Sequence, residues 1–281
     1  KHKPIASELT SSETSTQELP QPPSDFKEFN DWLGLPEKNG HPHPIYEYEL
    51  EYLQAILNDK HVILNKARGI GMTEITLRII LWMALTKHFH NKQFAIVAGT
   101  RLKFAVNLVR RLKAILAKNH KEMILDSTLE RIMFTTGHYV HAYPAEHIDA
   151  IRGMEDVALI FIDEAAFFDI TSERQDEIKM AIEGYRPKTN PYIVYVSTPN
   201  GPQGLFYDLD TGSRQGKYDY RPIEYNYLIS YGLLLEKEEI EAIKAKNPRT
   251  FAQEYMNQYI APINAATPIE WIEKATKEYD I

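Results

Sequence analysis

The chain has no cysteine in its 281 residues, so disulfide staples and thiolate metal sites are excluded and a reducing compartment is the expected setting. It also lacks any uninterrupted apolar run near the ~18 residues that a membrane span needs, and its N-terminus has no signal-peptide pattern. A soluble protein is expected. Positive charge is not in excess either: 32 Lys and Arg stand against 39 Asp and Glu, a net charge of −7. Overall charge therefore gives no sign of nucleic acid, whose phosphates are held by Lys and Arg. Histidine-based metal signatures and those of serine hydrolases are missing too. His41, His43, His138, His141 and His147 have no His-Glu-x-x-His arrangement around them, and no serine sits in a nucleophile elbow. No internal repeat occurs.

What is present is the stretch Lys66, Ala67, Arg68, Gly69, Ile70, Gly71, Met72 and Thr73, with the length and glycine placement of a phosphate-cradling loop. The pattern G-x-x-x-x-G-K-[ST] holds phosphates on backbone N–H groups, uses a lysine to reach the β- and γ-phosphates and a hydroxyl to hold Mg²⁺. Gly71 and Thr73 stand at their positions, but Met72 replaces the lysine and Lys66 occupies the first position, normally glycine. Lysine acts as a point charge on a flexible stem, so its ammonium can swing back over the same phosphates. Residues 62–65 read as a buried strand and residues 73–87 as a helix with a broad apolar face, which puts the loop between strand and helix. A plain strand-turn-helix connection with packing glycines would have the same flanks.

Residues 157–162 form a β-prone apolar run that ends in Asp163 and Glu164. Carboxylates at the C-terminal end of such a strand face the crevice where open α/β sheets bind ligands. Asp163 is placed to join a Mg²⁺ shell and Glu164 to polarise an attacking water, although paired acids also arise as an ordinary solvated strand end. Residues 192–196 read as another strand, which delivers Ser197 and Thr198 ahead of an Asn200-Gly201 turn. Hydroxyls there can sense a γ-phosphate or merely shape a polar turn. Loop, acid pair and Ser-Thr pair in this order form a set more specific than its members.

That order, with the spellings LIFIDEAAFF, YVSTPNGPQGLFYDL and RTFAQEYMNQYIAP, resembles the ATPase domain of the large terminase subunit, the motor that packages DNA into tailed-phage and herpesvirus-type capsids. The resemblance spans residues 46–278. It implies an α/β P-loop NTPase of the RecA/ASCE-like kind, with a mostly parallel β-sheet flanked by helices. It further implies ATP and Mg²⁺ as cofactors, double-stranded DNA gripped by its phosphate backbone, a homo-oligomeric ring on a portal, a small terminase subunit as partner and the infected host cell's cytoplasm as location. Some terminases carry lysine at the loop's first position, which is how Lys66 is read. Arg152, in an Arg-Gly pair upstream of the acidic strand, matches a trans-acting finger; a surface salt bridge with Glu155 or Asp156 is its other reading. Gln54 resembles the adenine-reading position. Large terminases normally continue into an RNase-H-like nuclease, whereas this sequence stops at Ile281, so ATPase activity without DNA cleavage is expected.

The expected division is a disordered arm over residues 1–25, the ATPase domain over 26–265 and a linker over 266–281 toward an absent nuclease domain. Within the domain, residues 132–143 read as a hairpin turning at Thr136, Gly137 and His138, residues 218–225 as a strand, and residues 236–246 and 249–259 as helices. Residues 101–121 hold seven Lys and Arg and no acid. At ~100° per residue, Leu102, Ala105, Val106, Val109, Leu112 and Leu116 share one side, Phe104 lies near it, and Lys103, Arg110, Arg111, Lys118 and Lys121 fall opposite. That face is either simply solvated or meets DNA phosphate or an acidic patch on a neighbouring subunit. In the mechanism expected, Lys66 and the loop amides bind phosphate, Thr73 and Asp163 hold Mg²⁺, Glu164 orients water, Arg152 completes a neighbour's site, and Ser197 and Thr198 couple hydrolysis to movement. A helicase-like translocase, and a scaffold subunit in which Met72 marks lost hydrolysis, are the alternatives.

Overall fold

A computed structural model describes residues 19–86, 92–99, 101–168 and 171–261. The expected linker over 266–281, most of the N-terminal arm and the helical reading of Lys87 lie outside the described residues. The part of the arm that is described is engaged with the fold: Trp82 Nε1 donates to Ser24 O, and Asp25 caps helix α1 (Phe26–Leu33) by accepting from the amides of Lys27 and Glu28.

A short hairpin, β1 (Glu37–Lys38) with β2 (His41–Pro42), leads into α2 (Glu47–Asp59). Strand β3 (His61–Lys66), helix α3 (Met72–Leu85), strand β4 (Gln93–Ala98) and helix α4 (Leu102–Ala117) follow. An antiparallel arm comes next, of β5 (Ile124–Ser127), β6 (Arg131–Phe134) and β7 (Tyr139–Tyr143), with Gly137 at φ 83 in the expected turn. Then come β8 (Val157–Asp163), α5 (Ser172–Glu183), β9 (Tyr192–Ser197), α6 (Leu205–Arg214), β10 (Arg221–Tyr225), α7 (Lys237–Lys246) and α8 (Pro248–Glu254). The sheet order is β10-β3-β9-β8-β4-β7-β6-β5, parallel from β10 through β7 and antiparallel for the last two strands.

Parallel strands are covered on both faces, which is why their sequences are continuous apolar runs. Alternate residues sort into two cores. Val62, Leu64, Phe94, Ile96, Val194 and Val196 pack against α1, α2, α3 and α4. Ile63, Ala95, Val97, Ile160, Ile193 and Tyr195 pack against α5, α6 and the 3₁₀ segment Ala145–Gly153.

Two expectations need correction. The last helix is shorter than residues 249–259, since α8 ends at Glu254. Leu102 and Phe104, in the first turn of α4, are exposed at 41% and 45%, and Leu108 takes a core place instead. Helix α6 and edge strand β5 have no counterpart in the sequence reading: the buried face of α6 is continued by Asp210, Gly212 and Ser213 in place of apolar residues, and β5 leaves three of its four residues exposed.

Candidate active site

Strand register brings the functional ends together. Lys66 lies opposite Tyr225 of β10, Asn65 opposite Ser197 of β9, and Asp163 of β8 opposite Val196 of β9. Three parallel strands therefore deliver the loop, the acid pair and the Ser-Thr pair to one edge, at their carboxyl ends.

The loop is shaped by its glycines. Gly69 and Gly71 have φ 77 and 82, and a Cβ on Gly71 would stand 3.1 Å from Leu234 Cδ1 and 3.2 Å from Glu49 Oε1, so only glycine fits that position. Tyr48 Oη donates to Ile70 O and fixes the loop's crest. Two loop amides are already spent: Ala67 N–H goes to Tyr225 O at 2.7 Å and Arg68 N–H to Glu254 O at 2.8 Å. The Arg68 side chain pairs with the same Glu254 at 2.9 Å. Ala67 and Arg68 thus brace the loop and do not offer amides to a ligand. Among the described residues, the amides of Gly69, Ile70 and Gly71 have no protein partner and lead into the free N-terminus of α3, an anion cradle with the helix dipole behind it.

Met72 is 1% exposed and packs in the core beneath α3, so no charge is absent from a solvent-facing position there. The charge is supplied by Lys66. Its ammonium stands 2.6 Å from Glu164 Oε1 and 3.0 Å from Thr198 Oγ1, buried at the meeting point of the three strands. Glu164 adopts a left-handed backbone, φ 54 and ψ 43, which is uncommon outside glycine and turns its carboxylate away from the strand line into the site. Its Oε2 lies 3.2 Å from both Ser197 Oγ and the Thr198 amide. Ser197 and Thr198 therefore hold the acid that the lysine touches.

Thr73 Oγ1 donates to Asp163 Oδ1 at 3.1 Å. Burial, and after it the Glu164 charge, push the Asp163 carboxyl up to about 7, while Lys66, Thr73 and Arg111 pull the other way. Loss of water around the buried carboxyl is thus the main cause of the shift, and the neighbouring acid adds to it.

A hollow of about 250 Å³ runs along this constellation, walled by Lys66, Arg68, Gly69 to Thr73, Glu74, Arg111 and Glu164. Beside it, a second of about 200 Å³ is lined by His43, Glu49, Gly69, Gly71, Ile75 and Leu234 among others. Gln54 is exposed on α2 and is not part of either wall. Glu49, which sequence reasoning passed over, is buried beside the loop: its Oε2 accepts from Tyr46 N–H at 2.8 Å, and it lines the second hollow with Gly69 and Gly71. Its only sequence signal was a helix-capping acid three residues after Tyr46.

The family model for the terminase large subunit, T4likevirus-type, N-terminal, matches residues 63–274. The chain belongs to that family. No curated protein matches it. Among solved structures, the large terminase of bacteriophage HK97 is similar at TM-score 0.64 and 13% identity, covering 84% of this chain and 55% of that one. The Thermus phage P74-26 large terminase ATPase domain aligns at TM-score 0.58 and 13% identity, over 83% of this chain and 98% of that domain. The large terminase of a thermophilic bacteriophage in complex with ATP-gamma-S aligns at 0.56 and 15% identity, over 77% and 53%. This terminase chain thus spans about half the length of the HK97 protein and of the one solved with ATP-gamma-S, and it matches the extent of the isolated P74-26 domain. These likenesses establish the expected α/β P-loop fold.

The remaining expected residues fall away from the terminase loop. Arg152, in the 3₁₀ segment, is 51% exposed and pairs with Asp149 at 3.5 Å, in place of the Glu155 or Asp156 partner anticipated. Arg111 of α4 pairs with Glu74, and Lys118, capping the helix, pairs with Glu37, so the basic face keeps Lys103, Arg110 and, just beyond the helix, Lys121 exposed to solvent.

Proposed function

We propose that this chain is the ATP-hydrolysing motor unit of a terminase and that hydrolysis drives double-stranded DNA toward a capsid. The observation that carries the proposal is the Lys66 ammonium 2.6 Å from Glu164: the lysine displaced to the loop's first position stands where the water-activating acid works. A hydrolysis-deficient scaffold would have no need of a lysine, an acid and two hydroxyl residues converging from three strands.

In this reading the amides from Gly69 onward cradle the phosphates. Glu164 takes up the proton of the attacking water, held in aim by Ser197 Oγ and the Thr198 amide. Lys66 meets the negative charge that develops on the transferred phosphoryl group, within a water-poor corner where such a charge is worth most.

Mg²⁺ suits the Thr73 and Asp163 pair. Both offer oxygen, Asp163 stands beside the second carboxylate Glu164, and among the described residues no larger cage of His, Asp and Glu competes. Mg²⁺ commonly takes one or two carboxylates from the protein and leaves its other positions to water and phosphate. When bound it would neutralise the β- and γ-phosphate oxygens.

Arg152 is assigned to a neighbouring copy's site, supported by its exposure on a segment that does not line the hollow of its own subunit. DNA phosphate is assigned to Lys103, Arg110 and Lys121. Purified chain should hydrolyse ATP slowly, and Glu164→Gln should retain nucleotide binding while losing about a hundredfold or more in turnover. Equal turnover of parent and Glu164→Gln in a phosphate-release assay would contradict the reading.

A further inference from the structure

A helical wheel puts Arg111 on the outward basic face of α4, and the fold sets that part of the face beside the loop. It lines the 250 Å³ hollow together with Lys66, Arg68, Gly69 to Thr73 and Glu164, and it also borders the adjoining hollow. Its guanidinium is anchored by one nitrogen only: Nη2 lies 3.0 Å from Glu74 Oε2. Glu74 in turn accepts from Arg78 Nε at 3.0 Å through its other oxygen, and Arg78 is itself fixed by Asn30 Oδ1 and Gly34 O at 3.0 and 2.9 Å. Arg78 is 3% exposed, so the chain of contacts that holds Arg111 begins in the core. Among the described residues, Glu74 is the one hydrogen-bond partner of the Arg111 guanidinium, whose side chain is 45% exposed. A planar fork with five N–H donors has most of them left for an anion.

We infer that Arg111 is a phosphate-binding residue of the site, a second cation supplied in cis from α4 where the loop itself puts Met72. This rests on the reading of the hollow as an ATP site and adds to it a residue from outside the loop. Lys66 reaches the Glu164 side of the hollow and Arg111 the Glu74 side, so the two cations flank the α3 N-terminus from different elements of the fold. A guanidinium so placed grips two phosphate oxygens at once, which lysine does not. Glu74 is the positioning residue that keeps the fork at the wall, and the Arg111 to Glu74 contact is loose enough in solvent for the remaining donors to turn toward a ligand.

The test compares parent, Arg111→Gln, Arg111→Lys and Glu74→Gln in the whole chain, reading ATP and tripolyphosphate affinity, ATP turnover without DNA, DNA affinity and thermal midpoint. Arg111→Gln is expected to weaken both ATP and tripolyphosphate about tenfold and to lower turnover at least as much, with Arg111→Lys intermediate and the midpoint within a few degrees. Glu74→Gln should show a smaller loss of the same kind. ATP and tripolyphosphate affinities within twofold of the parent would overturn the inference. So would a loss confined to DNA affinity, which would return Arg111 to the outer basic face. A parent that binds ATP without hydrolysing it would contradict the proposed function alone, leaving the affinity ratios to decide Arg111; a parent that binds neither polyphosphate would overturn both.

Discussion

Lys66 and Met72 have exchanged the places usual in a phosphate loop, and the packing shows how each is tolerated. Met72 opens α3 facing the core, where a long flexible thioether fills space and an ammonium would be buried without a partner. Lys66 ends β3 at a point where Glu164 and Thr198 wait for it. The loop spelling disclosed both substitutions. It did not disclose that Ala67 and Arg68 give up their amides to Tyr225 and Glu254, because those partners lie far along the chain. Glu49 was likewise silent, a capping acid whose burial becomes visible only when α2 is laid against the loop.

That burial has a measurable consequence. Desolvation, opposed by the Tyr46 amide and Arg78 and aided by Glu74, raises the Glu49 carboxyl from its ordinary 4.5 to about 7. The folded state therefore binds this proton more tightly than the unfolded chain. Its contribution to stability is complete below the ordinary value and is lost as pH rises through about 7, up to about 3 kcal/mol in all. Glu49→Gln should flatten that part of the decline in denaturant unfolding measured between about pH 5 and 7.5, and an unchanged slope would contradict the burial argument.

At the scale of elements, the buried strands were the easiest to read. Residues 157–162 and 192–196 are apolar on both faces because helices cover both, and the structure extends each by a single residue to Asp163 and Ser197, the residues that matter. Edge strand β5 has no such cover and gave no pattern. Helix α4 shows what periodicity leaves out: it separated Ala105, Val109, Leu112 and Leu116 from the cations correctly but could not tell which cations find acids on other elements. Glu37 takes Lys118 and Glu74 takes Arg111, which leaves a smaller outward face than a helical wheel suggests. Replacing Lys103, Arg110 and Lys121 with glutamine should lower DNA affinity and reduce the salt dependence of binding by roughly one unit of slope for each phosphate no longer neutralised. Turnover without DNA should stay near the parent's. A triple variant with unaltered DNA affinity and salt slope would place the DNA surface elsewhere.

For the whole molecule, the decisive fact is strand order. Residues 66, 163 and 197 are scattered through the sequence, yet β9 lies between β3 and β8, so their ends meet. Motif order along the chain pointed to the family without revealing that Lys66 and Glu164 would touch, since contact depends on which strands are neighbours and in what register. Exposed Arg152 belongs to this scale as well: within one copy it reaches Asp149 and no part of the hollow, as suits a group that acts on another copy.

The central claim is that the displaced lysine does the work of the missing one. ATP turnover of Lys66→Ala, measured beside Met72→Lys, tests it most directly. Lys66→Ala should fall about a hundredfold or more, the scale of a lost charge-stabilising donor. Met72→Lys should gain nothing and fold less stably, since its side chain enters the core at a site 1% exposed. Lys66→Ala turning over ATP like the parent, or Met72→Lys raising turnover severalfold, would contradict the account.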